Sequence, residues 1–225
     1  MTEIHTSIEL RTFADAPSRV RLPQSGGPHP VLFMIHGFKG DENAPWIFTR
    51  AADSAWLIVS PRAPLAVPEG GFSWWQFSPE GKSDPESLQA GLSQLGRIIQ
   101  SVYDAYPVDL TRVVLLGFSQ GGAMAISHAI KTPERVAGVA LLSGFIPGPI
   151  GRVPIPPLDN LPILIVHGAQ DETIPIGMAH KARDMLMAAG GAVTYVEETG
   201  GHKVGVQGMR SLTAFLAERI SSGGK

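Results

Sequence analysis

The sequence predicts an α/β architecture, a mostly parallel central sheet with helices on both faces. Three observations carry that expectation. Short, almost wholly apolar runs recur at residues 30–35 (PVLFMI), 56–60 (WLIVS), 112–116 (RVVLL), 135–142 (RVAGVALL) and 163–166 (ILIV), and such runs suit strands buried on both faces. Longer stretches between them carry apolar residues at helical spacing. The composition, 44% apolar and 17% charged over 225 residues, suits a globular chain with a substantial core, read as one domain spanning 1–225.

Each element follows from its local pattern. Residues 3–13 (EIHTSIELRTF) roughly alternate polar and apolar, as an edge strand does. Residues 14–30 are rich in Pro, Gly and Ser and read as a turn or loop. The buried strand at 30–35 runs into His36-Gly37-Phe38, residues 46–54 read as a short helix, and Pro61 stops the strand at 56–60. Residues 61–83 form a long loop with four prolines and three glycines, and loops of that length in compact domains usually serve function. Asp84-Pro85 is a cap followed by an N1 proline. Leu88, Leu92, Leu95, Ile99 and Val102 then make one apolar stripe, and Pro107 ends the helix. After the strands at 112–116 and 135–142, six prolines keep residues 146–162 irregular. Whether 145–162 closes as a lid is open at this stage. The strand at 163–166 precedes a helix at 174–189 stopped by Gly190-Gly191. A strand at 192–197 precedes a last helix at 204–220, with Met209, Leu212, Leu216 and Ile220 on one face.

Composition narrows the function classes. A net charge of −2 without a dense Lys/Arg cluster speaks against a nucleic-acid surface. Zero cysteines remove a disulfide framework, a cysteine nucleophile and thiolate metal sites. No apolar stretch reaches the length of a membrane span, and residues 1–5 lack a signal-peptide pattern, so a cytoplasmic protein is expected.

The chemistry centres on Gly117-Phe118-Ser119-Gln120-Gly121, placed between an apolar strand and a small-residue helix. This is the G-x-S-x-G pattern of a nucleophile elbow. A strand-to-helix turn projects the Ser119 hydroxyl above the sheet edge and leaves room only for glycine on either side. The alternative is an ordinary βα turn with serine as a helix cap. A serine needs a base, and a base needs an orienting acid. His202, after Gly200-Gly201 at the end of a strand, is the candidate base. Asp171, in the strand-to-helix loop 167–175 (HGAQDETIP), is the candidate acid, with Glu172 and Asp159 as rivals and a helix-capping role as its alternative. The chain order Ser, Asp, His is that of α/β-hydrolases, and all three residues follow strand ends, where open sheets bind ligands. The backbone N–H groups of Phe38 and Gln120 are the candidate oxyanion donors. Phe72, Trp74, Trp75 and Phe77 either pin their loop to the core or, some of them, line an acyl pocket.

The runs IHGFKGDE (35–42), PRAP (61–64), GFSWW (71–75), LLGFSQGGAMA (115–125), LLSGFIP (141–147), HGAQDETIP (167–175) and GGH (200–202) span nearly the whole chain. With them the chain resembles the phospholipase/carboxylesterase family of small α/β-hydrolases, which includes bacterial carboxylesterases and acyl-protein thioesterases. The resemblance implies the α/β-hydrolase fold, an esterase or lipase-like hydrolase acting without a cofactor or metal, the triad just assigned, and an aromatic substrate loop around Trp74 and Trp75. One departure is Gln76, where many relatives carry an aspartate. The expectation is therefore a serine carboxylesterase for small-molecule esters of short to medium acyl chains. An acyl-protein thioesterase or lysophospholipase with the same triad, and a non-catalytic binding module on the same fold, are the alternatives. A homodimer is compatible with aromatics exposed at 71–77, and core packing explains the same residues equally well.

Overall fold

In the computed structural model, which describes residues 7–24 and 26–221, the predicted sheet forms with eight strands. In chain order they are β1 (Ile8–Phe13), β2 (Ala16–Arg21), β3 (His29–Ile35), β4 (Leu57–Pro61), then, after a short hairpin of β5 (Leu65–Ala66) and β6 (Phe72–Ser73), β7 (Val108–Phe118), β8 (Gly138–Leu142), β9 (Pro162–Gly168) and β10 (Ala192–Glu198). The large sheet has the order β1-β2-β4-β3-β7-β8-β9-β10. The pairs from β4 to β10 are parallel; β1–β2 and β2–β4 are antiparallel.

The apolar strand runs resolve into two faces at period two. Val31, Phe33 and Ile35 enter one core while Leu32 and Met34 enter the other, and Val113/Leu115 against Val114/Leu116 and Ile163/Ile165 against Leu164/Val166 repeat the division. The first core is closed by helices α1 (Pro85–Ala105), α2 (Gln120–Lys131) and α4 (Ile176–Ala188). The second is closed by α5 (Val206–Ser221), through Leu212, Phe215 and Leu216, and by a 3-10 helix (Ala44–Ala51), through Phe48. Helix α1 starts as the sequence predicts: the Asp84 side chain accepts the Ser87 N–H at 2.8 Å, with Pro85 at the first turn.

The structure corrects the reading of residues 14–30 as loop, because β2 lies within them. Ala14 and Asp15 make a two-residue hairpin turn with φ of 46° and 66°, without the glycine that usually signals one. In β2, Ala16, Ser18 and Val20 point inward and alternate with Pro17, Arg19 and Arg21. Two small residues and a proline hide that alternation. Residues 1–6, which include His5 and the start of the first predicted strand, lie outside the described residues. The irregular segment 146–162 contains one short helix, α3 (Gly148–Gly151). Among the described residues no helix is long and apolar enough to cross a membrane.

Candidate active site

The parallel strands end level with one another: Ile35 pairs with Gly117, Phe118 with Leu142, Leu142 with Val166 and Gly168 with Glu198. The loops that follow these ends therefore share one rim, and Ser119, Asp171 and His202 all stand on it.

Ser119 sits between β7 and α2 at φ 55° and ψ −118°, a backbone region that side chains rarely occupy. Its N–H is tied to Leu142 O at 2.8 Å, and its carbonyl accepts the Ala123 N–H at 3.1 Å. The turn is tight on both sides: a Cβ at Gly121 would lie 2.0 Å from Ile35 O, and one at Gly117 would lie 2.1 Å from Gly121 O. The side chain makes no capping hydrogen bond, so the serine is not acting as an ordinary helix cap. Gln120 opens α2, where the first N–H groups have no partner within the helix and the dipole favours negative charge. Gly37 approaches closely enough that a Cβ there would lie 3.3 Å from Ser119 Cβ, which brings the Phe38 loop to the serine.

Asp171 is buried, and its two oxygens have separate tasks. Oδ1 accepts the N–H groups of Thr173 (2.9 Å) and Ile174 (2.8 Å), while Oδ2 faces His202 Nδ1 at 2.7 Å. Burial pushes the Asp171 carboxyl up, but the Ile174 N–H, the His202 imidazole and the Thr173 N–H together hold it below the usual carboxylate range. The cap of α4 is Pro175, so capping that helix is not the role of Asp171. Glu172 is exposed, and Asp159 precedes β9 at the opposite end of that strand. The His202 loop is held against the Asp171 loop by Ala169 N–H to Glu198 O (2.7 Å) and Gln170 N–H to Gly200 O (2.8 Å). The Glu198 side chain accepts the Gly205 and Gly208 N–H groups and fixes the entry to α5. With Nδ1 directed at Asp171, His202 leaves Nε2 outside that contact; its ring lies 4.9 Å from that of Phe118, the residue before the serine.

Other histidines are committed elsewhere. His36 Nδ1 contacts Gly37 O at 2.7 Å and Nε2 accepts the Ala63 N–H at 2.9 Å, which fixes a neutral tautomer. Burial pushes His36 down to about 4. His167 is fully buried behind the site, with Nε2 2.8 Å from Ile174 O and 3.5 Å from Asp171 Oδ2. His180 pairs with Glu197 on the surface, and His128 lines a separate hollow on α2.

The aromatic loop is arranged differently from the expectation that Phe72, Trp74 and Trp75 line an acyl pocket. Trp74 and Trp75 are both 0% exposed, and neither they nor Phe72 reaches the cavity beside Ser119. Trp74 donates through Nε1 to His36 O at 3.0 Å, and Phe72 lies under the Arg62 guanidinium, which itself bonds Glu42 twice at 2.6 Å. Trp75 stands behind Phe77 and Phe145, at ring distances of 5.6 and 6.3 Å. Those two rings, with Phe38, Ile174 and Met178, wall a cavity of about 720 Å³ that also contains Ser119 and Gln120. Of the four aromatics in the loop, Phe77 is the one that reaches this cavity. Sequence reasoning missed the Gln120 side chain, whose buried amide accepts the Trp74 N–H at 3.0 Å and donates to Ser73 Oγ at 2.9 Å. Only the G-x-S-Q-G glutamine itself hinted at that link.

Comparison with known proteins agrees with this architecture. The family described as Phospholipase/Carboxylesterase matches residues 20–220. Acyl-protein thioesterase 1 of Mycosarcoma maydis is 28% identical over 189 residues, 73% of this chain and 78% of that protein. A probable carboxylesterase SOBER1-like of Arabidopsis thaliana is 27% identical over 206 residues, 87% of this chain and 73% of that protein. The crystal structure of a carboxylesterase from Mesorhizobium loti superposes with a TM-score of 0.82 at 23% identity, covering 93% of this chain and 98% of that one, a likeness of fold. The chain belongs to the phospholipase/carboxylesterase family and is an esterase-type hydrolase.

Proposed function

We propose that the protein is a serine carboxylesterase acting on small-molecule esters of short to medium acyl chains, with Ser119 as nucleophile, His202 as base and Asp171 as orienting acid. The observation that carries the reading is the 2.7 Å contact of His202 Nδ1 with Asp171, on the same rim as a serine held at φ 55°. Ser119 Oγ attacks the acyl carbonyl and gives its proton to His202 Nε2, while Asp171 stabilises the imidazolium. The Phe38 and Gln120 N–H groups hold the oxyanion. Collapse breaks the ester C–O bond, the alcohol leaves with the proton from His202, and water activated by the same nitrogen releases the acid. The cavity containing Ser119 has the volume of a small-ligand site and an aromatic wall suited to an acyl chain.

A second reading, an acyl-thioester or lysophospholipid hydrolase with the same residues, draws on relatives named acyl-protein thioesterase 1 in Mycosarcoma maydis and Saccharomyces cerevisiae. Hydrolysis of p-nitrophenyl esters from acetate to palmitate, with Ser119→Ala as control, tests both. A maximum between acetate and octanoate that vanishes in the variant supports the carboxylesterase. A maximum between laurate and palmitate moves the assignment to the second reading, and activity surviving in a pure Ser119→Ala protein overturns the nucleophile.

A further inference from the structure

A second cavity lies on the other side of the catalytic rim and has no part in the mechanism above. It has a volume of about 330 Å³ and is bounded by Gly37, Phe118 and His202, with Phe48 and Met209 among its apolar walls. Ser119 does not line it. Two cations, Arg50 and Lys203, stand at its edge, both exposed and neither paired with a carboxylate among the described residues. No aspartate or glutamate lines it. The Ser119 cavity has a mixed border instead, with Glu80 and Asp84 beside Lys82 and Arg152.

On the triad reading, the two cavities divide the substrate. The oxyanion donors and Ser119 belong to the larger one, which takes the acyl group. The leaving oxygen must sit within reach of His202 Nε2, since Nδ1 is committed to Asp171. The group attached to that oxygen therefore extends along the His202 side, toward the smaller cavity. We propose that the smaller cavity is a leaving-group site, and that Arg50 and Lys203 select compact alcohols or thiols carrying a carboxylate or phosphate. Unpaired cations beside apolar walls, with no opposing acid, attract an anion and give neutral or cationic leaving groups no such gain.

The test compares two acetates with one acyl group, 4-acetoxybenzoate and its neutral methyl ester, through the ratio of their kcat/KM values. Intrinsic reactivity cancels when that ratio is compared between wild type and the double variant Arg50→Glu/Lys203→Glu. The ratio should fall by about tenfold or more in the variant, chiefly through KM for the anion, and the wild-type ratio should fall as salt rises. Labelling of Ser119 by an uncharged fluorophosphonate verifies that the variant is folded, and Arg50→Gln/Lys203→Gln should fall between. Running 4-acetoxyphenyl phosphate alongside separates the two anions: a larger loss for the phosphate assigns a phosphorylated leaving group, a larger loss for the carboxylate assigns a carboxylated one. Turnover of both benzoate esters with a ratio unmoved by charge reversal would overturn the leaving-group site alone. Failure of the wild type to hydrolyse either ester would overturn the short-chain carboxylesterase reading as well.

Discussion

The turn at Ser119 and the loop from Arg62 to Ser83 both border the same rim, yet they are built on opposite principles. At the turn, backbone meets backbone: Gly121 against Ile35 O, Ser119 N–H on Leu142 O, and a φ that few residues tolerate. In the loop, side chains meet partners far away in sequence, such as Trp74 Nε1 on His36 O and the Gln120 amide on Trp74 N–H. A backbone constraint dictates residue type and so leaves a pattern in the sequence. A packing constraint asks only for shape and a donor, and many sequences meet it. Substitutions in the two regions should therefore fail differently, one in rate and the other in stability.

The largest expected effect is at the turn. Ser119→Ala should lower kcat by about 10⁴–10⁶-fold, the scale of losing a triad nucleophile, with urea unfolding nearly unchanged. Asp171→Asn should cost about 10⁴-fold by presenting the wrong hydrogen-bonding pattern to His202, and combining it with Ser119→Ala should add little. Full additivity in single-turnover rates would break the assignment of these residues to one unit.

The loop gives the contrasting result. Trp75 is fully buried and fills the core behind Phe77 and Phe145, so Trp75→Ala should destabilise the protein by about 3–5 kcal/mol in urea unfolding. Phe77 is 38% exposed and faces the Ser119 cavity. Phe77→Ala should move KM for longer acyl esters while costing less stability. If Phe77→Ala proved the more destabilising of the two, the division between core ring and wall ring would be wrong.

This contrast also explains what could be read from the chain itself. The mostly parallel sheet follows from apolar runs buried on both faces, and the elbow follows from two glycines around a serine. That Asp171 and His202 share one rim was legible because each follows a strand end in a short loop. The strand β2 was not, because Ala16, Ser18 and Pro17 carry almost no alternating hydrophobic signal. The positions of Trp74 and Trp75 were not either, because burial is set by His36 and Gln120, 38 and 46 residues from Trp74. Aromatic identity alone does not say which rings face solvent and which face the core.

One glycine links the two principles. A Cβ at Gly168 would lie 2.3 Å from Gly201 O and 2.4 Å from Gly200 O, the two residues before His202. Gly168→Ala must push the His202 loop away from β9, and with it the 2.7 Å contact to Asp171. Displacement of a catalytic group by about 1 Å costs about a hundredfold in rate, so kcat should fall by about that factor while the cores on both sheet faces persist. A variant with wild-type kcat would show that the loop absorbs the methyl group without moving the imidazole.

Two histidines on the rim sharpen the comparison through pH. His202 has one ring nitrogen outside its contact with Asp171, whereas His36 commits both to backbone, its ring centroid 5.4 Å from that of Trp74. Burial holds His36 down to about 4, with Gly37 O, Asp41 and Glu42 pulling the other way and Arg62 reinforcing the shift. The unfolded chain, with an ordinary value of 6.5, therefore takes up a proton before the folded protein does. Stability contributed by neutral His36 is complete above that range and is lost as pH falls from 6.5 to about 4, by on the order of 3 kcal/mol. His128, also pushed down to about 4 by burial, adds a loss in the same window. Asp171 and Glu42 are held below their ordinary values of 3.8 and 4.5, so their contributions begin to fade at about those values and are lost at lower pH. Urea midpoints measured across this window should fall steeply for the wild type and less steeply for His36→Gln, even though that variant starts out less stable at neutral pH. His128→Gln should flatten the profile independently. Parallel profiles for wild type and His36→Gln would mean that the imidazole holding the aromatic loop is not what acid disrupts.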